Sequence, residues 1–74
     1  MDNLNSNTHN IAVNGAPHEI AAGATVSDLL ASLSLNPSAV VVEVDLEVIP
    51  RHCHRQTELH AGAAVEIVHF VGGG

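Results

Sequence analysis

The fold is decided by residues 24–37, ATVSDLLASLSLNP, near the middle of the chain. Thr25 is a typical helix N-cap, and Asp28, three residues later, supplies the acidic partner of a weak capping box. Apolar residues then recur at the i, i+3, i+4 and i+7 spacing of a buried stripe: Val26, Leu29, Leu30 and Leu33. Asn36-Pro37 ends this pattern. The stretch therefore predicts one amphipathic helix.

A β-hairpin is predicted before this helix. Ile11 and Val13 alternate with small or polar neighbours, and Asn14-Gly15 tolerates the positive φ of a two-residue turn. The return strand is predicted over residues 17–21, where the proline at its start limits pairing.

Three further strands are predicted after the helix. The first is the β-branched run VVVEV, with Val40, Val42 and Val44 expected on its buried face. The others are residues 47–49, which follow the turn Asp45-Leu46, and residues 65–70, which follow a turn at 61–64. The order ββ-α-ββ-β predicts an α+β fold, a mixed four- to five-stranded sheet packed on one main helix.

Composition and charge exclude several classes of function. The 74 residues suffice for one domain, and their net charge is −6, with Arg51 and Arg55 as the only Lys or Arg residues. Such a surface repels nucleic acid and anionic lipid, so we expect no nucleic-acid or membrane partner and favour basic protein surfaces. No apolar run approaches the ~20 residues that span a bilayer. Cys53 is the only cysteine, which indicates a reducing, cytoplasmic setting.

The sequence closes on Val71-Gly72-Gly73-Gly74. Glycines after a strand pack no side chain and cost conformational entropy, so they are a poor choice for stability. A backbone without Cβ can instead enter a narrow channel of another protein, and four extended residues reach at most ~14 Å. On composition alone, a frayed tail or a cloning scar is an equally good interpretation.

The chain resembles the ubiquitin-like, β-grasp family of carriers, and within it the bacterial sulfur carriers of thiamine biosynthesis, the ThiS type. The resemblance spans residues 10–74 and is carried by VNG at 13–15, ATVSDLL at 24–30, VEV at 42–44 with IPR at 49–51, and EIVHFVGGG at 66–74. The final Gly-Gly is its most specific element. We therefore expect a flexible leader over 1–9, a β-grasp domain over 10–71 and a flexible tail over 72–74.

The chain departs from the family at one turn. The family usually carries an acid-Gly-acid turn before the last strand, where this chain has Ala61-Gly62-Ala63. This difference places the hydrogen bonds of the turn in question but leaves the chemistry at Gly74 untouched.

The resemblance implies a carrier that acts as a cosubstrate and is not itself an enzyme. A ThiF-type adenylating enzyme would use ATP and Mg²⁺ to convert the Gly74 carboxylate to an acyl-adenylate, with no cofactor bound permanently to the chain. Sulfur from a cysteine persulfide would replace AMP and leave a thiocarboxylate. A thiazole synthase of the ThiG type would then take this sulfur for the thiazole ring of thiamine. A MoaD-type carrier for molybdopterin is the alternative with the same tail chemistry.

The strand pattern also predicts a partner surface. If Val65 and Ile67 face the helix, then Val68 and Phe70 lie on the open side of the sheet with Val41. A loop or an oligomer partner over this side is the alternative. We predict six partner-binding residues: Val41, Val68, Phe70, Val71, Gly72 and Gly73.

The strongest competing signal is His52-Cys53-His54, with His60 nearby. Three such ligands could hold Zn²⁺ or copper in a small metal-binding module. In an extended strand, however, Cys53 points away from the two histidines. We therefore favour a histidine-rich surface segment and predict no metal site. Alternating carboxylates at Glu43, Asp45 and Glu47 are interpreted as a solvated strand face.

Overall fold

The computed structural model of the chain describes residues 7–70, and within them the elements follow the predicted ββ-α-ββ-β order. The strands are β1 (Thr8–Val13), β2 (Ala16–Ala21), β3 (Val40–Val44), β4 (Glu47–Ile49) and β5 (Ala64–His69). The helix α1 spans Val26–Ser32, and short 3₁₀ helices lie at Pro37–Ala39 and Arg51–Cys53.

The strands form one mixed sheet in the order β2-β1-β5-β3-β4. The central strand β5 runs parallel to β1 and antiparallel to β3. The α+β fold predicted from the element order is confirmed. Within residues 7–70, no helix is long and apolar enough to cross a membrane.

Helix α1 begins where the capping box predicts. The Asp28 N–H donates to Thr25 Oγ1 at 3.2 Å, and the Thr25 N–H donates to the Asp28 carboxylate at 2.9 Å. These two bonds satisfy two orphan donors of the first turn, and the N–H groups of Val26 and Ser27 donate to the distant Thr57 and His54 carbonyls. Leu33, the last residue of the predicted stripe, is the C-cap and is partly buried against the core.

The core lies between α1 and one face of the sheet. The alternate residues of β3 are buried as predicted, and the helix contributes Val26, Leu29 and Leu30. The other buried hydrophobic residues are Ile11, Ile20, Val40, Val42, Val44, Leu59, Ala63, Val65 and Ile67. Among the described residues, the buried side chains of β3 and β5 lie on this face, and those of the opposite face are exposed or half-buried.

The predicted N-terminal boundary is wrong by two residues. Thr8 and His9, assigned to a flexible leader, lie in β1 opposite Ala21 and Ile20. The hairpin register set by the Asn14-Gly15 turn continues to the end of β2 and includes them. Residues 1–6 of the predicted leader lie outside the described residues, as do residues 71–74.

The turn before β5, with alanines where the family usually has acids, is held by backbone hydrogen bonds. The Gly62 N–H donates to the Asn10 carbonyl at 2.8 Å, and the Ala63 N–H donates to the His60 carbonyl at 3.1 Å. Gly62 has φ +83, a conformation that glycine adopts without a Cβ penalty. The glycine and the backbone therefore maintain the turn without its flanking acids.

Candidate partner-binding surface

The open face of the sheet carries an exposed apolar cluster beside the end of β5. Val41 and Val68 lie directly opposite each other on β3 and β5, so their side chains share this face. Val41 is 40% exposed, Val68 57% and Phe70 47%. We call these three residues the open-face cluster. Their placement on the solvent side agrees with the strand alternation, whereas their predicted contact with a partner stays a prediction.

Val48 extends the apolar surface and was missed by the sequence reasoning. It lies opposite Glu43 in the β3–β4 register and is exposed. The signal was present, because Ile49 is partly buried and the alternating neighbour of a buried residue faces the other side.

Two carboxylates lie next to the cluster on the same face. Glu43 and Glu66 are directly opposite each other on β3 and β5. Like charges in directly opposite positions are mildly destabilising in a sheet. A cationic group from a partner would relieve this repulsion, which agrees with the preference for basic partner surfaces.

The end of β5 is held by an asparagine side chain. The last backbone bond from the end of β1 to β5 is donated by the Asn14 N–H to the Val65 carbonyl at 2.8 Å, and the Asn14 carboxamide then bonds the backbone of β5 two residues further on. Asn14 Nδ2 donates to the Ile67 carbonyl at 3.2 Å, and the Ile67 N–H donates to Asn14 Oδ1 at 2.7 Å. Asn14 therefore has two roles, the turn and an anchor for β5. The sequence reasoning found only the first.

The chain stays bonded to the sheet up to Phe70. The Phe70 N–H donates to the Ala39 carbonyl at 3.2 Å, one residue beyond the end of β5. The predicted last strand, residues 65–70, is therefore displaced by one residue. The remaining predicted site residues, Val71, Gly72, Gly73 and Gly74, lie outside the described residues.

The histidine-rich segment is neither extended nor entirely on the surface. Arg51–Cys53 form a 3₁₀ helix, and His54 is only 3% exposed, so the interpretation of a surface segment is wrong for His54. Its Nε2 lies 3.2 Å from the Ile49 carbonyl, and Nδ1 has no hydrogen-bond partner among the described residues. Within residues 7–70, no three His, Cys, Asp or Glu side chains are grouped to hold a metal ion.

Asp45 lies in a turn and not on a strand face, with φ +51. Its carboxylate accepts a bond from the Ala64 N–H at 3.0 Å and one from His60 Nε2 at 2.7 Å. The Ala64 N–H and then His60 lower the pKa of Asp45. Asp45 therefore does not share a strand face with Glu43 and Glu47, with which it alternates in sequence.

His60 has an acceptor at each ring nitrogen. Nε2 faces the Asp45 carboxylate, and Nδ1 lies 2.8 Å from the Ala61 carbonyl. Two acceptors require two N–H donors, so this geometry favours the imidazolium. Asp45 and then Ala61 raise the pKa of His60. The pair joins the β3–β4 turn to the segment before β5, at the opposite end of the sheet from Phe70.

Comparison with known proteins identifies one family. The model of the ThiS family matches residues 4–74. The sulfur carrier protein ThiS of Bacillus subtilis is 46% identical over 50 residues, which cover 68% of this chain and 76% of that protein.

Two thiazole synthases are also similar to the chain. Those of Magnetococcus marinus and Paramagnetospirillum magneticum are 39% and 36% identical over 64 residues. The matches cover 86% of this chain but 20% of each synthase, so the chain spans about a fifth of their length.

A solved structure extends the similarity to the fold. The crystal structure of the thiamine biosynthesis protein ThiS from Geobacter metallireducens has a TM-score of 0.77 and is 37% identical. The match covers 88% of this chain and 99% of that one. The predicted β-grasp fold is thereby confirmed.

Proposed function

The chain belongs to the ThiS family, and from this membership we propose that it is a sulfur carrier protein of thiamine biosynthesis. The observation that carries the proposal is that the family match extends through the three glycines at 72–74. We propose the Gly74 carboxylate as the reacting group. The chain is then a cosubstrate, and the catalytic groups belong to its partners.

The first proposed step overcomes the low reactivity of a carboxylate. A free carboxylate is a poor electrophile, because its charge is delocalised and its oxygen is a bad leaving group. A ThiF-type adenylating enzyme would join a carboxylate oxygen of Gly74 to the α-phosphorus of Mg²⁺-bound ATP and release pyrophosphate. The product is an acyl-adenylate from which AMP leaves readily.

The second proposed step introduces sulfur. The terminal sulfur of a cysteine persulfide attacks the activated carbonyl carbon, and AMP leaves. A thiol then supplies the two electrons that break the S–S bond, leaving a thiocarboxylate on Gly74. Since these steps consume ATP and thiols, we propose a cytoplasmic setting, which also suits the lone Cys53.

The contribution of the chain is delivery. A glycine segment fits a narrow channel because it has no Cβ, and four extended residues reach at most ~14 Å beyond the domain. The open-face cluster lies beside the origin of this segment and offers a partner an apolar surface. A tethered sulfur reaches a high effective concentration, which free sulfide would not.

We propose a thiazole synthase as the sulfur acceptor. The proposal is supported by the two thiazole synthases that contain a region similar to this chain. The similar proteins include two thiazole synthases and a thiamine biosynthesis protein, so a molybdopterin carrier is not favoured.

The test is the mass of the chain after incubation with ATP, Mg²⁺, the adenylating enzyme and a persulfide donor. Exchange of oxygen for sulfur changes the mass almost as much as oxidation of Met1 or Cys53 does. The thiocarboxylate is therefore alkylated, and the alkylated peptide is identified by sequencing. The thiocarboxylate should map to Gly74 and disappear when Gly74 is deleted. Failure to form it, while Bacillus subtilis ThiS is converted in the same assay, would refute the proposal.

A further inference from the structure

The two arginines of the molecule lie close together in sequence, within residues 51–55. Arg51 and Arg55 are the only Lys or Arg residues of the chain, against eight Asp or Glu, and both are exposed in the segment after β4. A partner therefore meets an acidic carrier with one cationic position, apart from its histidines.

Arg51 lies at the end of the sheet where the chain leaves β5. The β3–β4 register ends at Ile49, opposite Val42, and Arg51 follows in a 3₁₀ helix, with its guanidinium bonded to Ser38, two residues before Val40. Val40 in turn lies opposite His69, the last residue of β5. The guanidinium is therefore near the end of β5, where the chain exits the sheet.

A hydrogen bond fixes the Arg51 side chain at this exit. Arg51 Nη1 donates to Ser38 Oγ, in the 3₁₀ helix before β3. The residue after Ser38 is Ala39, whose carbonyl accepts the bond from the Phe70 N–H. Arg51 and Phe70 are thus held to adjacent residues of one short segment.

Arg51 has no carboxylate partner within residues 7–70, where the ion pair found joins His60 and Asp45. The bond to Ser38 uses one of the five N–H donors of the guanidinium and leaves its charge uncompensated. An oriented, planar guanidinium suits a carboxylate, which it binds through two parallel hydrogen bonds.

We propose that Arg51 binds a carboxylate of the adenylating enzyme at the entrance that receives the glycine segment. The inference rests on the proposed function and names a contact that orients the carrier. On an enzyme surface that is otherwise basic, as the net charge of −6 favours, one carboxylate at this entrance attracts the chain at Arg51 and repels its acidic positions. One docking orientation is then favoured, with residues 71–74 directed inward.

The test measures pyrophosphate release by the adenylating enzyme with the full chain as the varied substrate. Arg51→Glu should raise KM at least about tenfold and change kcat less than about threefold, because the contact serves docking and not chemistry. Arg55→Glu is the matched control: it makes the same charge change four residues away and should change KM less than about threefold. Ser38→Ala keeps the Arg51 charge but removes the hydrogen bond that orients its side chain. Its KM should lie between those of the wild type and Arg51→Glu.

Thermal unfolding followed by circular dichroism checks that each variant folds. If Arg51→Glu does not fold, Arg51→Gln is measured in its place. An unchanged KM in the Arg51 variants would overturn the inference, as would equal effects of Arg51→Glu and Arg55→Glu, which would indicate net charge alone. A wild-type chain that is never adenylated would instead overturn the proposed function.

Discussion

Replacing Asn14 by glycine isolates the anchor of β5. Glycine tolerates the φ of +50 at this position, so the turn is kept while both bonds to Ile67 are lost. A typical hydrogen bond contributes about 0.5–1.5 kcal/mol, so we expect a loss of about 1–3 kcal/mol. Asn14→Ala should cost about 1–2 kcal/mol more, since alanine is strained in the left-handed region.

Urea unfolding followed by far-UV circular dichroism measures this loss, since the chain has no Trp or Tyr for fluorescence. For a slope of about 1 kcal/mol per molar urea, the midpoint should fall by about 1–3 M. Leu46→Gly is a matched control for the added freedom of the unfolded chain. Leu46 has φ +72 and is exposed, so this change should not destabilise the protein.

Amide hydrogen exchange localises the effect. In Asn14→Gly the Ile67 N–H loses its acceptor, so its exchange should accelerate well beyond the change in global stability. An unfolding free energy within about 0.5 kcal/mol of wild type, together with unchanged exchange at Ile67, would refute the assignment of Asn14 as an anchor.

Three further outcomes are expected. His60→Ala should destabilise most between pH 3.8 and 6.5, the ordinary pKa values of Asp45 and His60. The raised pKa of His60 gives stability that is full below 6.5 and is lost as the pH rises through the higher pKa of the folded state. The lowered pKa of Asp45 gives stability that is full above 3.8 and is lost as the pH falls through the lower pKa of the folded state. The unfolding free energies of the wild type and of His60→Ala are measured by urea titration at about pH 3 to 9. A difference between them that does not change with pH would contradict this expectation. Leu29→Ala should lower the unfolding free energy by about 2–5 kcal/mol, because a fully buried side chain leaves a cavity, and a smaller urea effect would indicate collapse of the site. Phe70→Ala should weaken affinity for the adenylating enzyme in direct binding measurements, whereas Leu46→Ala, at the other end of the sheet, should not; equal affinities would remove Phe70 from the interface.

Local signals predicted most of the fold. The capping box at Thr25 and Asp28 involves residues three apart, the Asn14-Gly15 turn involves neighbours, and the alternation in β3 has a period of two. Each can be read without knowing which strands become adjacent. The exposure of the open-face cluster follows in the same way, once the buried side of β3 is known.

The features that were missed depend on distant pairing. The Asn14–Ile67 bonds join residues 53 apart in sequence, and His60–Asp45 joins residues 15 apart. The burial of His54 likewise depends on tertiary packing, since polar neighbours in sequence indicate a surface segment. Thr8 and His9 carry no strand pattern and are included because β2 continues opposite them. The proposed reacting group, the Gly74 carboxylate, rests on the sequence and the family alone.

The central position of β5 determines how the domain carries mechanical load. A partner that applies force to residues 71–74 pulls on the C-terminal end of β5, the strand that lies between β1 and β3. Because ladder bonds lie across the strands, such a force shears many of them together and does not unzip them one by one. The domain should therefore resist unfolding when its C-terminal segment is withdrawn from a partner's narrow channel.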